Sequence, residues 1–186
     1  RQSAFMIAMA TIPAVVVGLF LQDYAETVFR NPVLVACTLI IGGILLLWAE
    51  KQGTHSKEYK NLCLKDAVIV GLAQALAIVP GVSRSGITMT AGLFRNFDRS
   101  AVARFSFLLS APIIAGAGSL NGIKIIRQGG LESGQAGFFF VGFTAAAVSG
   151  YIFIAFLMRY IQTKSFAIFA YYRFLLAGLV LWAVAI

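Results

Sequence analysis

The sequence predicts an all-α integral membrane protein, on the basis of its composition, its long apolar runs and one interruption among them. Of the 186 residues, 60% are hydrophobic and only 12% are charged, and the mean hydropathy is +0.87. A soluble domain carries about 25% charged residues. We therefore expect a single membrane domain over residues 1–186, with about five transmembrane helices and one re-entrant helical hairpin.

Five apolar runs approach the roughly 20 residues that a helix needs to cross a bilayer. The predicted spans are residues 3–22, 33–49, 105–123, 137–158 and 166–186.

The apolar segment between the second and third spans, residues 67–94, is broken near its middle. The stretch Pro-Gly-Val-Ser-Arg-Ser-Gly occupies residues 80–86. The flanking halves, residues 67–79 and 87–94, are each too short to span a bilayer. The segment is therefore either one broken crossing or a re-entrant hairpin, since non-helical backbone at membrane depth requires protein or a water-filled cavity around it.

The loop charges favour the hairpin. With a hairpin, ten lysines and arginines fall on one face and three on the other, whereas a single crossing divides them seven to six. The ten are Arg1, Lys51, Lys57, Lys60, Lys65, Arg95, Arg99, Arg104, Arg159 and Lys164, and the three are Arg30, Lys124 and Arg127. Because basic loops stay in the cytoplasm, we expect the hairpin to enter from the cytoplasm and Ile186 to lie outside.

The same loop charges account for the net charge of +8. No basic run is interleaved with aromatic residues that could stack on bases, so we do not expect nucleic acid as a partner. Cys37 and Cys63 lack a metal-ligand spacing and are expected to be free thiols.

The backbone of the break has the chemistry of an oxyanion site. Proline lacks an amide donor and glycine permits unusual backbone angles, so Pro80 and Gly81 should end the first half-helix. A new helix is expected to begin near Ile87, with its unpaired amides and positive dipole end directed into the tip. The amides of Ser85 and Gly86 would then face a ligand.

The side chains at the tip fit the same ligand. Arg84 offers a planar fork of donors that matches phosphate oxygens, and a buried arginine without an anion would be costly. Ser83 and Thr88 could donate hydroxyl groups. For Ser85, a helix cap or close helix packing is an equally good explanation. Ser83 could instead be a nucleophile, but no base is visible to activate it.

These residues resemble a known family. The motif at 80–86, the Ile-Thr that follows it, Arg-Phe-Ser-Phe-Leu-Leu-Ser-Ala-Pro at 104–112, Ile-Pro-Ala at 12–14 and Tyr-Arg-Phe at 172–174 resemble the bacterial undecaprenyl pyrophosphate phosphatase family, associated with bacitracin resistance. The resemblance implies a hydrolase of the inner membrane that removes one phosphate from the C55 isoprenoid carrier of cell-wall synthesis. It also implies two inverted repeats, each with a re-entrant hairpin, whose tips meet at a site open to the periplasm.

The resemblance also implies roles for individual residues. Arg84, Ser83 and Thr88 would be catalytic. Gly81, Ser85, Gly86, Gln74 and Arg173 would bind the substrate, a polyprenyl pyrophosphate lipid. A divalent cation, Mg²⁺ or Ca²⁺, is implied as cofactor, and a homodimer is left open.

One motif of the family is not found in this sequence. It carries two glutamates and a histidine and belongs to the first hairpin, so we expect the chain to form the second part of the inverted repeat and to be inactive alone. His55 is interpreted as a solvated loop residue and Asp98 as the N-cap of a helix starting at Arg99. A transporter or flippase for an anionic lipid or small anion is the alternative function, since broken helices in inverted repeats also build transporters.

Overall fold

The computed structural model describes residues 2–27, 31–130 and 135–186, and each regular element in these ranges is a helix. The α-helices are α1 (Gln2–Thr27), α2 (Pro32–Gln52), α3 (Leu64–Ala75), α4 (Arg84–Phe94), α5 (Arg99–Arg127), α6 (Gln135–Tyr160) and α7 (Ala167–Ala185). Short 3-10 helices occupy Tyr59–Asn61 and Leu76–Ile78. The all-α prediction is confirmed. Arg1 and Arg30, two of the loop charges counted above, lie outside the described residues.

Five helices in the described ranges, α1, α2, α5, α6 and α7, are long and apolar enough to cross a membrane. Four of them, α1, α2, α5 and α6, extend beyond the predicted apolar runs because helical structure continues into the polar flanks, whereas α7 lies within its predicted run. Helix α5, for example, begins at Arg99 rather than near residue 105, since the Asp98 carboxylate accepts a 2.8 Å hydrogen bond from the Ala101 amide. The prediction of Asp98 as an N-cap is confirmed.

Helices α3 and α4 form a hairpin. Its two open ends, the loop before α3 and the loop after α4, lie side by side, and we call them the feet of the hairpin. The loop before α3 and the loop after α4 exchange backbone hydrogen bonds, from Lys57 N to Asn96 O and from Asp98 N to Lys57 O, each 2.9 Å long. The buried Asp66 carboxylate forms ion pairs with Lys57 and with Arg95 Nε, the latter at 2.8 Å. A single broken crossing would place these loops on opposite faces, so the geometry is that of a hairpin.

The hairpin is held between the long helices. Helix α1 packs against α3 and α5, while α2 packs against α7 and α4. Hairpin side chains such as Val70, Met89 and Leu93 enter the main core. Helix α6 contributes no buried residue and contacts mainly α5. The tip of the hairpin therefore lies inside the bundle, where α1, α2, α5 and α7 can surround it.

The loop after α2 corrects one prediction. His55 is half-buried, and its Nε2 lies 2.8 Å from the backbone oxygen of Glu50, one of the last carbonyls of α2. The loop turns back at this point, with a φ of 49° at His55, and so brings the ring to a carbonyl that the helix leaves unpaired. The description of His55 as a solvated loop residue was wrong.

Candidate functional site

The turn at the hairpin tip is shaped by Gly81 and Thr38. Gly81 has a φ of +86°, a conformation that glycine adopts without steric cost. The Thr38 hydroxyl of α2 donates to the Pro80 carbonyl at 2.8 Å. A Cβ added to Gly81 would lie 2.1 Å from Thr38 Oγ1, so a larger residue would push the tip away from α2. Sequence reasoning missed Thr38, although a hydroxyl in an apolar helix is a signal that could have identified it.

Helix α4 begins at Arg84, three residues earlier than predicted, because Ser83 caps it. The Ser83 hydroxyl accepts a 3.1 Å hydrogen bond from the Gly86 amide. This corrects two expectations at once. The Gly86 amide is used by the cap rather than free for a ligand, and the capping serine is Ser83 rather than Ser85. The Ser83 hydroxyl hydrogen remains available to donate.

Arg84 is the first residue of α4, and its side chain projects from the first turn of that helix. Its side chain is exposed, and it makes no hydrogen bond or ion pair with any residue that the structure describes. It lines a cavity of about 400 Å³ together with Ser85, Ser106 and Ser110. We call this the Arg84 cavity. Ser106 and Ser110 were missed by sequence reasoning, although their spacing of four residues places both on one face of α5.

Gln74 adjoins the Arg84 cavity from the other arm of the hairpin. Arg84 and Gln74 both line a smaller space of about 150 Å³, bounded by Ala14 and Gly18 of α1. Gln74 is 2% exposed, and neither atom of its amide has a hydrogen-bond partner among the described residues. Leaving such a buried polar atom unpaired costs about 1–3 kcal/mol. Gln74 thus lines the smaller space and not the Arg84 cavity itself.

Thr88 is not in the Arg84 cavity. Its side chain is 2% exposed, and its hydroxyl donates back to the Arg84 carbonyl at 2.9 Å and contacts the Ser106 hydroxyl. It borders only a small gap of about 10 Å³ in the core. Because α4 begins at Arg84, Thr88 lies one turn into the helix, where threonine commonly bonds the carbonyl four residues earlier. Thr88 therefore supports the first turn, and the predicted contact with phosphate has no geometric basis here.

Arg173 lies on the opposite side of the α4 N-terminus. It is 6% exposed and donates from Nε to Leu39 O and from Nη2 to the carbonyls of Thr38 and Gly81, each at 3.2 Å. It lines a second cavity of about 290 Å³, which Ser83, Ser85 and Gly86 also border. We call this the Arg173 cavity. The predicted single site is thus divided in two, with Ser85 on both sides.

The charges around the Arg84 cavity favour anions. None of the described residues that line it is acidic, and the positive end of the α4 dipole lies beside it. Among these residues there is also no group of three or more His, Cys, Asp or Glu that could hold a metal ion. The described lining of the Arg84 cavity thus presents a guanidinium group and hydroxyl groups, and no carboxylate or imidazole.

The chain is similar to known proteins over most of its length. The family model described as bacitracin resistance protein BacA matches residues 1–179. The chain is 45% identical to an undecaprenyl-diphosphatase of Thermodesulfovibrio yellowstonii over 177 residues, which cover 95% of this chain and 67% of that protein. Undecaprenyl-diphosphatases of Rubrobacter xylanophilus and Gemmatimonas aurantiaca are each 46% identical, over 97% and 98% of this chain and 66% of their own lengths. The chain thus spans about two thirds of the length of these relatives.

Proposed function

This chain belongs to the bacitracin resistance protein BacA family, and from that membership we propose that it acts in a membrane phosphatase that hydrolyses undecaprenyl pyrophosphate to undecaprenyl phosphate. The observation that carries the proposal is the unpartnered Arg84 guanidinium beside the N-terminus of α4, facing a cavity without acidic residues. The names of the relatives favour hydrolysis over the alternative of a transporter or flippase.

In the proposed reaction, the terminal phosphate of the lipid lies in the Arg84 cavity. The oxygen of a water molecule bonds to the terminal phosphorus, and the bond from that phosphorus to the bridging oxygen breaks. The electron pair stays on the bridging oxygen, which becomes part of the lipid monophosphate, and inorganic phosphate leaves with the two protons of the water. Arg84 stabilises the charge that develops on these oxygens, while the hydroxyl group of Ser85 can donate a hydrogen bond to the phosphate. Ser110 already donates to the Phe107 carbonyl at 2.7 Å, and the Gln74 amide faces the adjoining smaller space.

Ser83 is not well placed to act as the nucleophile. Its hydroxyl accepts the Gly86 amide and lies 3.4 Å from Ser85 Oγ. No histidine, carboxylate or lysine of the described chain hydrogen-bonds to it, and a serine without a base is a weak nucleophile. We therefore propose that water is the nucleophile and that the Ser83 side chain caps α4.

A divalent cation, Mg²⁺ or Ca²⁺, remains part of the proposal, as an ion that would polarise the phosphoryl oxygens. The described cavity residues offer it no carboxylate. Its ligands would be phosphate oxygens and groups outside the described residues, so we derive no step through it.

We expect phosphate release to depend on this cation. The protein, expressed with whatever further residues its gene encodes and purified in detergent, should release inorganic phosphate from undecaprenyl pyrophosphate, and EDTA should abolish the release. The 186-residue chain by itself should release none. Full activity in EDTA would contradict the cation, and turnover by the 186-residue chain would mean that its own residues supply the acid and base.

We further propose the bacterial inner membrane as the location, with the Arg84 cavity reached from the periplasmic side, and a homodimer as the assembly. The hairpin feet mark the proposed cytoplasmic face. Of the basic loop residues counted above that the structure describes, nine lie at this face, and only Lys124 and Arg127 lie at the other. The exposed surface of α6 is available to lipid or to a second copy.

Cysteine labelling can test this orientation. Cys37 and Cys63 are both free and exposed, so they must first be replaced by serine. Single cysteines at Lys60 and Lys164 should be protected from a membrane-impermeant thiol reagent in intact cells, whereas cysteines at Lys124 and Ile186 should be labelled. All four side chains are exposed, so access depends on the membrane face alone. Labelling of Lys60→Cys in intact cells would reverse the orientation.

A further inference from the structure

The Arg173 cavity is not used by the proposed reaction, yet it contains a buried cation. No acidic residue lines it among the described residues. Three backbone carbonyls accept the hydrogens of Nε and Nη2, but Nη1 has no hydrogen-bond partner in the described chain. A guanidinium removed from water without an anion is costly. The cavity therefore presents a charge that a negatively charged ligand would neutralise.

The unpaired nitrogen points to the first turn of α4. A Cβ added to Gly86 would lie 2.8 Å from Arg173 Nη1 and 3.1 Å from Ser83 Oγ. Arg173 Nη1 and Ser83 Oγ therefore lie close together on the same side of Gly86, next to the N-terminal end of the α4 dipole, and both residues line the Arg173 cavity. A planar guanidinium, a hydroxyl and a helix N-terminus are together well suited to phosphate oxygens.

The remainder of the Arg173 cavity is apolar. Beyond its polar end, the cavity is walled by side chains of α2, α4, α5, α6, α7 and the residue before α7, and its volume is about 290 Å³. These side chains are Leu39, Leu46, Met89, Phe107, Leu157, Phe166, Phe169 and Tyr172. An apolar cavity with one charged end fits an amphiphile with an anionic head and a hydrocarbon tail better than it fits a free phosphate ion.

We propose that the Arg173 cavity is a second phosphate site, which binds the phosphate monoester of a long-chain isoprenoid. The phosphate contacts Arg173 Nη1 and Ser83 Oγ, and the first isoprene units lie against the aromatic wall. The identity of the lipid rests on the proposed function, since the monoester is the product of that reaction. Ser85 borders both cavities, so the product can be held next to the site where it is formed.

Photo-crosslinking tests the site directly. In the full protein in detergent, Phe169, which is 37% exposed, is replaced by p-benzoylphenylalanine, and radiolabelled polyprenyl phosphate is the probe. Irradiation should label the protein. Unlabelled polyprenyl phosphate should compete, whereas inorganic phosphate or neutral polyprenol at the same concentration should not. The matched control carries the photoreactive residue at Phe143, which is 75% exposed on α6, and its labelling should not be competed.

Two variants test the polar end. Arg173→Met removes the cation, and Gly86→Ala places a methyl group between Nη1 and Ser83 while keeping the cation and favouring the helix. Each should lower the competed labelling at least about tenfold, the loss expected for one charge-assisted hydrogen bond. Arg173 also joins the hairpin tip to α2, so Arg173→Met could fail to fold. In that case the labelling of Gly86→Ala tests the site by itself.

Two results would overturn the site. One is labelling of Gly86→Ala as strong as that of the parent protein, and the other is neutral polyprenol competing as strongly as the monoester. Competition by inorganic phosphate alone would overturn the lipid as its ligand. Labelling reports binding and not turnover, so a protein that is labelled as expected but does not hydrolyse the pyrophosphate contradicts only the proposed function. A protein that hydrolyses it without competed labelling contradicts only the second site.

Discussion

Replacing Arg84 with either alanine or lysine should lower kcat/KM for undecaprenyl pyrophosphate by at least about 10²–10³-fold, the usual cost of removing one preorganised donor from a transition state. The guanidinium holds two phosphate oxygens in one plane, and a lysine ammonium cannot reproduce that geometry. The Arg84 side chain is exposed to its cavity and makes no hydrogen bond or ion pair with a described residue, so its loss should leave the fold intact. Phosphate release by the purified variants measures the effect, and their thermal unfolding checks the fold.

The control for Arg84 must be an arginine without a structural contact. Arg99 is unsuitable because it pairs with Glu50, whose other carboxylate oxygen accepts the Phe166 amide at 3.4 Å. The Arg159 side chain is exposed and makes no hydrogen bond or ion pair with a described residue. Arg159→Ala should stay within about threefold of the unmodified protein, since isolated surface charges contribute little. Near-normal turnover by Arg84→Ala would show that the phosphate is bound elsewhere.

The hairpin could be predicted from the sequence because several local signals agree there. Proline and glycine interrupt an apolar run, the halves are too short to span, and the loop charges are unequal only if the chain returns to the same face. The start of α4 could not be predicted as well. Ser83 and Ser85 have the same capping chemistry, and only the folded turn brings the Ser83 hydroxyl to the Gly86 amide.

The division of the site into two cavities follows from that start. With Arg84 and Gly86 both in the first turn of a helix, their positions differ by about 200° around its axis. Arg84 therefore faces one cavity, and Gly86 faces Arg173 in the other. A helix starting near Ile87 would have left both residues in a loop around one ligand. The contact of Arg173 with Gly81 joins distant parts of the chain, and no local pattern indicates it.

The role of Asp66 in joining the hairpin was not predicted from the sequence, because an acidic residue at a helix start usually only interacts with the helix dipole. It does accept the Cys63 amide at 3.2 Å, as part of a capping box. However, it is fully buried and also pairs with Lys57 and Arg95. Arg95 follows α4 and Lys57 precedes α3, so one carboxylate joins both feet of the hairpin. Its loss should loosen the element that carries Arg84.

We expect Asp66→Asn to lower the free energy of unfolding by about 2–3 kcal/mol. Removing one partner of a buried ion pair costs about 3–5 kcal/mol. The loss for Asp66→Asn should be at or below the lower end of this range, because the side chains of Lys57 and Arg95 are 25% and 34% exposed. The midpoint of thermal unfolding in detergent should fall by roughly 5–10 °C. Glu58→Gln is the matched control. Its pair with Lys60 is largely exposed, so the change should be near zero.

The pH dependence of this difference identifies the carboxylate as its cause. Burial raises the pKa of Asp66, but hydrogen bonds from Lys57, Cys63 and Arg95 outweigh it and hold the pKa at about 2. In the unfolded chain the pKa is about 3.9. A carboxyl group with a lowered pKa stabilises the fold fully above the unfolded value and loses that contribution as the pH falls through the folded one. The difference in unfolding midpoint between the unmodified protein and Asp66→Asn should therefore be constant from pH 8 to about pH 5 and shrink below about pH 4. A difference that stayed constant down to pH 2 would mean that the asparagine variant is destabilised by packing and not by the lost charge.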